Sequence, residues 1–283
     1  MMTVNELYRH FLRSLESIHN PHEASNISSM VFESIAGISR SALIKDPRQE
    51  LPAAVEEKIL QSLERLLEHM PVQYVLGEAW FYGMKLKVSP AVLIPRPETE
   101  ELVEEGIAFL QSMVHPHVLD IGTGSGCIAI ALKRNVPAAM VTGMDTSESA
   151  LAIAKENATN LETSIRFWHN DFLDERSWDG RYEMIISNPP YIPVNEKEKM
   201  DKNVVAYEPH IALFVDNASP LLFYEKIAAF GKEHLAAGGQ VFMETHEALA
   251  GDVAALFREN GFDAVIKKDI FEKERMVTAT HYQ

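Results

Sequence analysis

From His117 onward the sequence alternates short apolar runs with amphipathic ones, and few folds accept such a chain. Val118-Leu119-Asp120-Ile121 reads as a strand. It is followed by the glycine-rich turn Gly122-Thr123-Gly124-Ser125-Gly126 and an apolar helix over 127–135. A second strand over 140–144 ends in Asp145, and Ser147 caps a helix running to 160, with Glu148 in its first turn. A third strand over 165–168 precedes Asp171-Phe172, and the apolar, isoleucine-bearing run 182–187 is a fourth, buried strand. A helix over 221–235 ends at Gly238-Gly239, a fifth strand spans 240–244, and a helix over 248–260 stops at Gly261. Strands over 264–267 and 276–280 close the sheet. Alternation of this kind folds into a mostly parallel, doubly wound α/β sheet with its ligand crevice at the carboxyl ends of the strands. The strand ends are therefore the positions to read for chemistry.

The fourth strand ends in Asn188-Pro189-Pro190-Tyr191. Each proline fixes its own φ near −65° and lacks an N–H, and each pushes the preceding residue towards an extended conformation. The result is a stiff corner with its carbonyls held in fixed directions and an Asn amide at its mouth. Such a corner suits a planar NH2 group. The Asn188 oxygen takes one N–H, a proline carbonyl takes the other, and Tyr191 supplies an aromatic wall. The same four residues also make an ordinary Asn-Pro turn after a strand.

The glycine turn follows a strand and opens a helix, the right setting for a nucleotide. It lacks the spacing of the dinucleotide fingerprint, and no Gly-Lys-Ser/Thr follows as in a phosphate loop. Glycines here let a ligand approach the backbone closely. Asp145 ends the next strand, about 20 residues on, where an acid holds ribose hydroxyls. After the third strand, Asp171 is placed to read an adenine edge and Phe172 to cover its face. A glycine turn, a ribose acid and an adenine clamp without a phosphate cradle describe a nucleoside carrying an amino-acid tail, S-adenosylmethionine. A redox dinucleotide fold with a decayed fingerprint is the other reading.

The first 75 residues show only helical spacing. Leu7, Phe11, Leu15 and Ile18 mark one helix, a second spans 26–38, and a longer one over 52–70 turns Leu60, Leu63, Leu66 and Leu67 inward. Residues 76–95, with Trp80-Phe81-Tyr82-Gly83 and Leu86-Lys87-Val88, read as a β-hairpin linker. Residues 96–283 then form the second domain. A helix opens near Arg96, with Thr99 or Glu98 capping its first turn. A net charge of −15 argues against stable autonomous nucleic-acid binding, which usually needs a basic face. The longest apolar runs fall short of a membrane span, no signal-peptide core opens the chain, and the lone Cys127 fits a reducing, cytoplasmic setting. In the helical segment His10, His19 and His22 are isolated and lack ligand spacing, and no metal is expected.

Asp120-Ile121-Gly122-Thr123-Gly124-Ser125-Gly126 followed by Asn188-Pro189-Pro190-Tyr191-Ile192 resembles a class I methyltransferase acting on a planar nitrogen. Ile94-Pro95-Arg96-Pro97-Glu98-Thr99-Glu100, Tyr207-Glu208-Pro209 and Ala212-Leu213 narrow the resemblance to the release-factor glutamine methyltransferases, the HemK-type family. It covers essentially the whole chain, most sharply from Pro71 onward. The resemblance implies a Rossmann-like, mostly parallel seven-stranded sheet behind a small all-α bundle that docks the substrate. It implies transfer of a methyl group from S-adenosylmethionine to the N5 amide of the glutamine in the Gly-Gly-Gln loop of class I peptide chain release factors. Gly122, Thr123, Gly124, Ser125, Gly126, Asp145, Asp171, Phe172 and Asn188 would hold the cofactor. Asn188 and Pro189 would hold the reacting amide beside Pro190 and Tyr191, and Arg96 would belong to a flap near the site. An adenine-N6 methyltransferase on DNA or RNA is the alternative, because an exocyclic NH2 presents the same two hydrogens. A non-catalytic cofactor-binding adaptor is a third reading. The chain's own Gly238-Gly239-Gln240 is read as coincidence, a helix stop before a strand.

Overall fold

A computed structural model describes residues 2–46, 49–174 and 180–281. These residues form two compact units. One runs to Glu78 and takes in Asp201–Tyr207; the other comprises Ala79–Met200 and the chain from Glu208 onward.

The first unit is built on helices α1 (Val4–Leu15), α2 (Pro21–Ala36), α3 (Arg40–Lys45), α4 (Ala53–Leu67) and α5 (Val72–Leu76). The starts of α1, α2 and α3 follow from capping chemistry. Thr3 and Glu6 form a reciprocal capping box on α1, Asn20 accepts from Glu23 N at 3.0 Å on α2, and Ser39 caps α3. Leu7, Phe11, Leu15, Val31, Phe32 and Leu66 fill the core, with Phe11 edge-on to Phe32 at 5.7 Å. The inward stripe of α4 is Ile59, Ser62, Leu63 and Leu66; Leu67, expected inward, is 37% exposed. Leu67 shares the spacing of three and four that runs from Ile59, so periodicity alone does not exclude it; it is the last residue of the helix, next to the C-cap Glu68. The short helix α9 (Lys202–Tyr207) joins this unit from far along the chain, with Tyr207 Oη donating to Glu68 O at 2.7 Å.

In the second unit, β1 (Glu78–Phe81) and β2 (Met84–Lys87) form a hairpin. Its turn, Tyr82-Gly83, has both residues at positive φ, the geometry of a two-residue hairpin loop. Phe81, Met84 and Leu86 are buried in the core of this unit. The hairpin, expected as a linker, is thus part of the domain it precedes. Then follow α6 (Pro97–Leu110), β3 (His117–Ile121), α7 (Cys127–Asn135), β4 (Met140–Asp145), α8 (Glu148–Asn160), β5 (Arg166–His169) and β6 (Tyr182–Ser187). A two-stranded parallel pair, β7 (Ile192–Pro193) with β8 (Phe214–Val215), flanks α10 (His210–Leu213). The chain closes with α11 (Leu222–His234), β9 (Leu235–Glu244), α12 (Ala250–Glu259), β10 (Phe262–Lys268) and β11 (Glu274–His281).

The main sheet has seven strands in the order β10-β11-β9-β6-β3-β4-β5. The β3, β4, β5, β6 and β9 pairings are parallel, and β11 runs antiparallel to both β9 and β10. Val118, Met184 and Ile186 pack with Leu102, Ile107 and Leu132 on one face. Leu119, Ile121 and Ile185 pack with Tyr224, Ile227 and Phe257 on the other. Burial on both faces explains why β3 and β6 read as near-continuous apolar runs. From β3 the chain winds outward to β4 and β5, then crosses back to β6 on the other side of β3. The topological switch point therefore lies between β3 and β6, where a ligand crevice is expected.

Gly238-Gly239, expected as a helix stop, instead lies inside β9. The β6–β9 register jumps from Tyr182↔Leu235 to Met184↔Gln240, so the glycines occupy a large bulge. A Cβ on Gly239 would stand 2.9 Å from Ala236 O and 3.1 Å from the carbonyl oxygens of Glu183 and Tyr182. All three are main-chain atoms that cannot rotate aside. Gly239→Ala should therefore destabilise the protein by about 1–3 kcal/mol, read as a lowered denaturant midpoint. An unchanged midpoint would show that the bulge yields freely.

Candidate active site

The site lies across the switch point. Gly122, Gly124 and Gly126 all adopt positive φ, of +74°, +54° and +81°. That conformation lets the chain turn sharply out of β3 and into α7. The amides of Gly122 and Thr123 donate to Met144 O, which pins the turn to the end of β4. Asp145 completes the junction: Oδ2 accepts from Gly124 N and Oδ1 from Ser147 N, each at 2.9 Å. Burial raises the Asp145 pKa above its ordinary value, while the amides of Ser147, Gly124 and Thr146 pull it back. Beneath the turn, Asp120 is fully buried and accepts from Thr123 Oγ1 at 2.6 Å. Burial pushes its pKa up to about 7.

A cavity of about 230 Å³ opens here, far larger than the roughly 10–15 Å³ that one water requires. Gly122, Gly124, Asp145, Asp171 and Phe172 line one side, and Asn188, Pro189 and Pro190 line the other. Leu93, Pro209 and Ala212 contribute from the segments after β2 and before β8. Asp171 Oδ1 accepts from Leu173 N at 2.9 Å, and Phe172 packs edge-on to Phe230.

Thr123, Ser125, Gly126 and Tyr191 do not line this cavity. Thr123 and Ser125 are buried behind the turn. The Ser125 carbonyl accepts from Asn157 Nδ2 at 2.9 Å, and the same amide group clamps both the N–H and the carbonyl of Lys87. Gly126 sits at the start of α7, close against Ala154 and Ile130. Tyr191, expected as an aromatic wall, directs its hydroxyl away from the cavity to Glu244 Oε1 at 3.0 Å. The deep carboxylate attracts it more than an open wall would.

Glu244 is the residue that sequence reasoning passed over. It ends β9, is 2% exposed, and also accepts from Thr99 Oγ1 at 2.6 Å through Oε2. Thr99 in turn accepts from Asn188 Nδ2 at 3.1 Å. Thr99 or Glu98 is the expected cap of α6, but neither serves: the N-cap position is Arg96, without a side-chain cap, and the Thr99 hydroxyl bonds inward to Glu244. The available signal was an acid closing an apolar strand, the same signal that marked Asp145. Glu208 is likewise buried: its carboxylate accepts from Ile94 N and pairs with Arg96. The stretches around Arg96 and Glu208 are therefore one structure beside the cavity.

A seven-stranded, doubly wound sheet with an acid-anchored glycine turn on one side of the switch point and an Asn-Pro-Pro-Tyr corner on the other defines a class I methyltransferase. The family model for the methyltransferase small domain matches residues 101–208, and that for the PrmC N-terminal domain matches residues 6–77. The chain is 37% identical over 278 residues to a release factor glutamine methyltransferase of Bacteroides thetaiotaomicron, covering 98% of this chain and 99% of that one. It is 38% identical over 280 residues to the enzyme of that name from Streptococcus pneumoniae, covering 98% of each. A solved methyltransferase from Pyrococcus furiosus shares the fold, with a TM-score of 0.51 at 15% identity, over 82% of this chain and all of that one. The chain belongs to the release factor glutamine methyltransferase family.

Proposed function

We propose that the protein transfers the methyl group of S-adenosylmethionine to the side-chain amide N5 of the glutamine in the Gly-Gly-Gln loop of class I peptide chain release factors. The observation that carries this reading is similarity along almost the full length of both chains to relatives named for that activity. The helical unit, matched by its own family model, is the proposed docking domain for the release factor. Among the described residues no helix is long and apolar enough to cross a membrane, and a cytoplasmic setting is proposed with the function.

The cavity fits the cofactor. Space is open above Gly122, where an added Cβ would meet no protein atom within 4 Å. Each Asp145 oxygen takes one backbone N–H, and a carboxylate has about four acceptor positions, so two remain for ribose hydroxyls. Phe172 offers a flat apolar face, and Asp171 stands beside it. When bound, the cofactor supplies an electrophilic methyl group on a sulfonium that leaves readily.

An amide nitrogen is a poor nucleophile because its lone pair is delocalised into the carbonyl. Asn188 Oδ1 accepts one of its hydrogens and the Pro189 carbonyl the other, which holds the group flat and turns its lone pair towards the methyl. Orienting two reactants in this way supplies much of the rate. Once methylated, the nitrogen sheds its extra proton to water, so the step requires no dedicated base. Mass spectrometry of a purified class I release factor after incubation with enzyme and cofactor tests the proposal. One added methyl on the Gly-Gly-Gln glutamine is expected; modification elsewhere, or none, contradicts it.

A further inference from the structure

We infer that Glu244 and Thr99 are positioning residues that fix which end of the Asn188 amide faces the substrate. The inference rests on the proposed reading of Asn188 as the acceptor for the glutamine amide, and deepens it.

An Asn side chain has two nearly equal shapes, related by exchange of oxygen and nitrogen. Only one serves here: the oxygen must face the cavity to accept an N–H. The choice is made behind the residue. The Thr99 hydroxyl has one proton, and it lies on the 2.6 Å bond to Glu244 Oε2, within the range of a hydroxyl bound to an ionised carboxylate. With that proton committed, Thr99 Oγ1 presents only lone pairs to Asn188, and the 3.1 Å contact must be filled by Nδ2. The reversed amide would set oxygen against oxygen. Asn188 Oδ1 is thereby left towards the cavity that Asn188 lines.

Glu244 is built to keep accepting. Its second oxygen takes the Tyr191 hydroxyl at 3.0 Å, so two hydroxyl donors converge on one carboxylate. Tyr224 Oη is bonded to the Glu244 main-chain oxygen at 3.0 Å, fixing the end of β9. Burial raises the Glu244 pKa, against which the Thr99 and Tyr191 hydroxyls and the charge of Arg275 pull it down. Three strand and helix ends, from α6, β6 and β9, thus meet on one buried carboxylate. The same contacts account for the placement of Tyr191 outside the cavity.

The test compares Thr99→Val, Thr99→Ser and Glu244→Gln. Valine keeps the shape and removes the hydroxyl, and serine restores it. In Glu244→Gln the new side-chain amide can donate to Thr99, freeing the threonine proton for Asn188 Oδ1 and so permitting the reversed amide. One lost hydrogen bond of ordinary strength corresponds to roughly a two- to thirteenfold fall in turnover on a release factor, for Thr99→Val and Glu244→Gln alike. Thr99→Ser should stay within about twofold of the parent, and cofactor affinity by calorimetry should be unchanged in all three. A second readout needs no turnover: in protein labelled with 15N at asparagine side chains, the Asn188 NH2 protons should exchange with water faster in Thr99→Val than in the parent or Thr99→Ser. Parental turnover in Thr99→Val, with parental amide exchange, overturns the inference. So does a loss that serine fails to rescue, or one matched by an equal loss of cofactor affinity, since either marks a merely structural role. If the unaltered protein modifies no release factor glutamine, the proposed function fails first, and the amide-exchange comparison still decides whether Thr99 fixes Asn188.

Discussion

Replacing Asn188 with alanine should slow methyl transfer by about 10²–10³-fold, the usual effect of removing one preorganised polar group from a reacting centre. The Asn188 amide lies at the end of β6, held from behind by Thr99 at 3.1 Å, with the cavity in front. Without it, only the Pro189 carbonyl restrains the substrate amide, which is free to rotate out of line. Cofactor affinity should change much less. Asn188→Asp is the sharper variant. It keeps an acceptor of similar shape but places a negative charge beside the sulfonium, so the ground-state complex should be at least as tight. The same carboxylate would face Thr99 Oγ1, whose proton is already given to Glu244, and the corner should lose its fixed orientation. Interactions that do not strengthen in the transition state do not raise the rate. Tight cofactor binding with slow transfer is therefore expected, measured by calorimetry and single-turnover kinetics. Parental turnover in either variant would reduce the tetrad to a turn.

Asp145→Ala should weaken cofactor binding by about 1.5–3 kcal/mol, or roughly 10- to 150-fold. Two effects combine. The ribose hydroxyls lose a charged acceptor, and the amides of Gly124 and Ser147 lose the oxygens that hold the turn between β3 and α7 and the start of α8. Asp145→Asn separates them, since its single oxygen retains only part of either role, and an intermediate loss is expected. Unchanged affinity by calorimetry would move the ribose away from β4.

What the sequence revealed was governed by local rules. The glycine turn, the acid after β4 and the proline corner after β6 are each written in a few adjacent residues. The strand–helix alternation around them left one kind of sheet to build. What it concealed depends on partners distant in the chain. Gly238-Gly239 serves as a helix stop or a bulge with equal ease, and the pairing of β9 with β6 decides between them. Thr99 has the local signature of a cap, but Glu244, 145 positions later, draws its hydroxyl inward. Tyr191 is turned from the cavity by that same carboxylate. Leu60, Leu63, Leu66 and Leu67 share a residue type, but Leu63 and Leu66 are buried with Ile59, Leu60 packs partly buried against that core, and Leu67 is left exposed. No local pattern shows that Asp201–Tyr207 packs with helices more than a hundred residues earlier.

The central claim is that the corner at Asn188 holds the amide of a protein glutamine. The most direct measurement supplies methyl-labelled S-adenosylmethionine and the purified protein to a cell lysate, separates protein from nucleic acid, and follows the label. The label should appear in a class I release factor and vanish from it when the glutamine of its Gly-Gly-Gln loop is replaced. Label in DNA or RNA, with the release factor unlabelled, would contradict the claim.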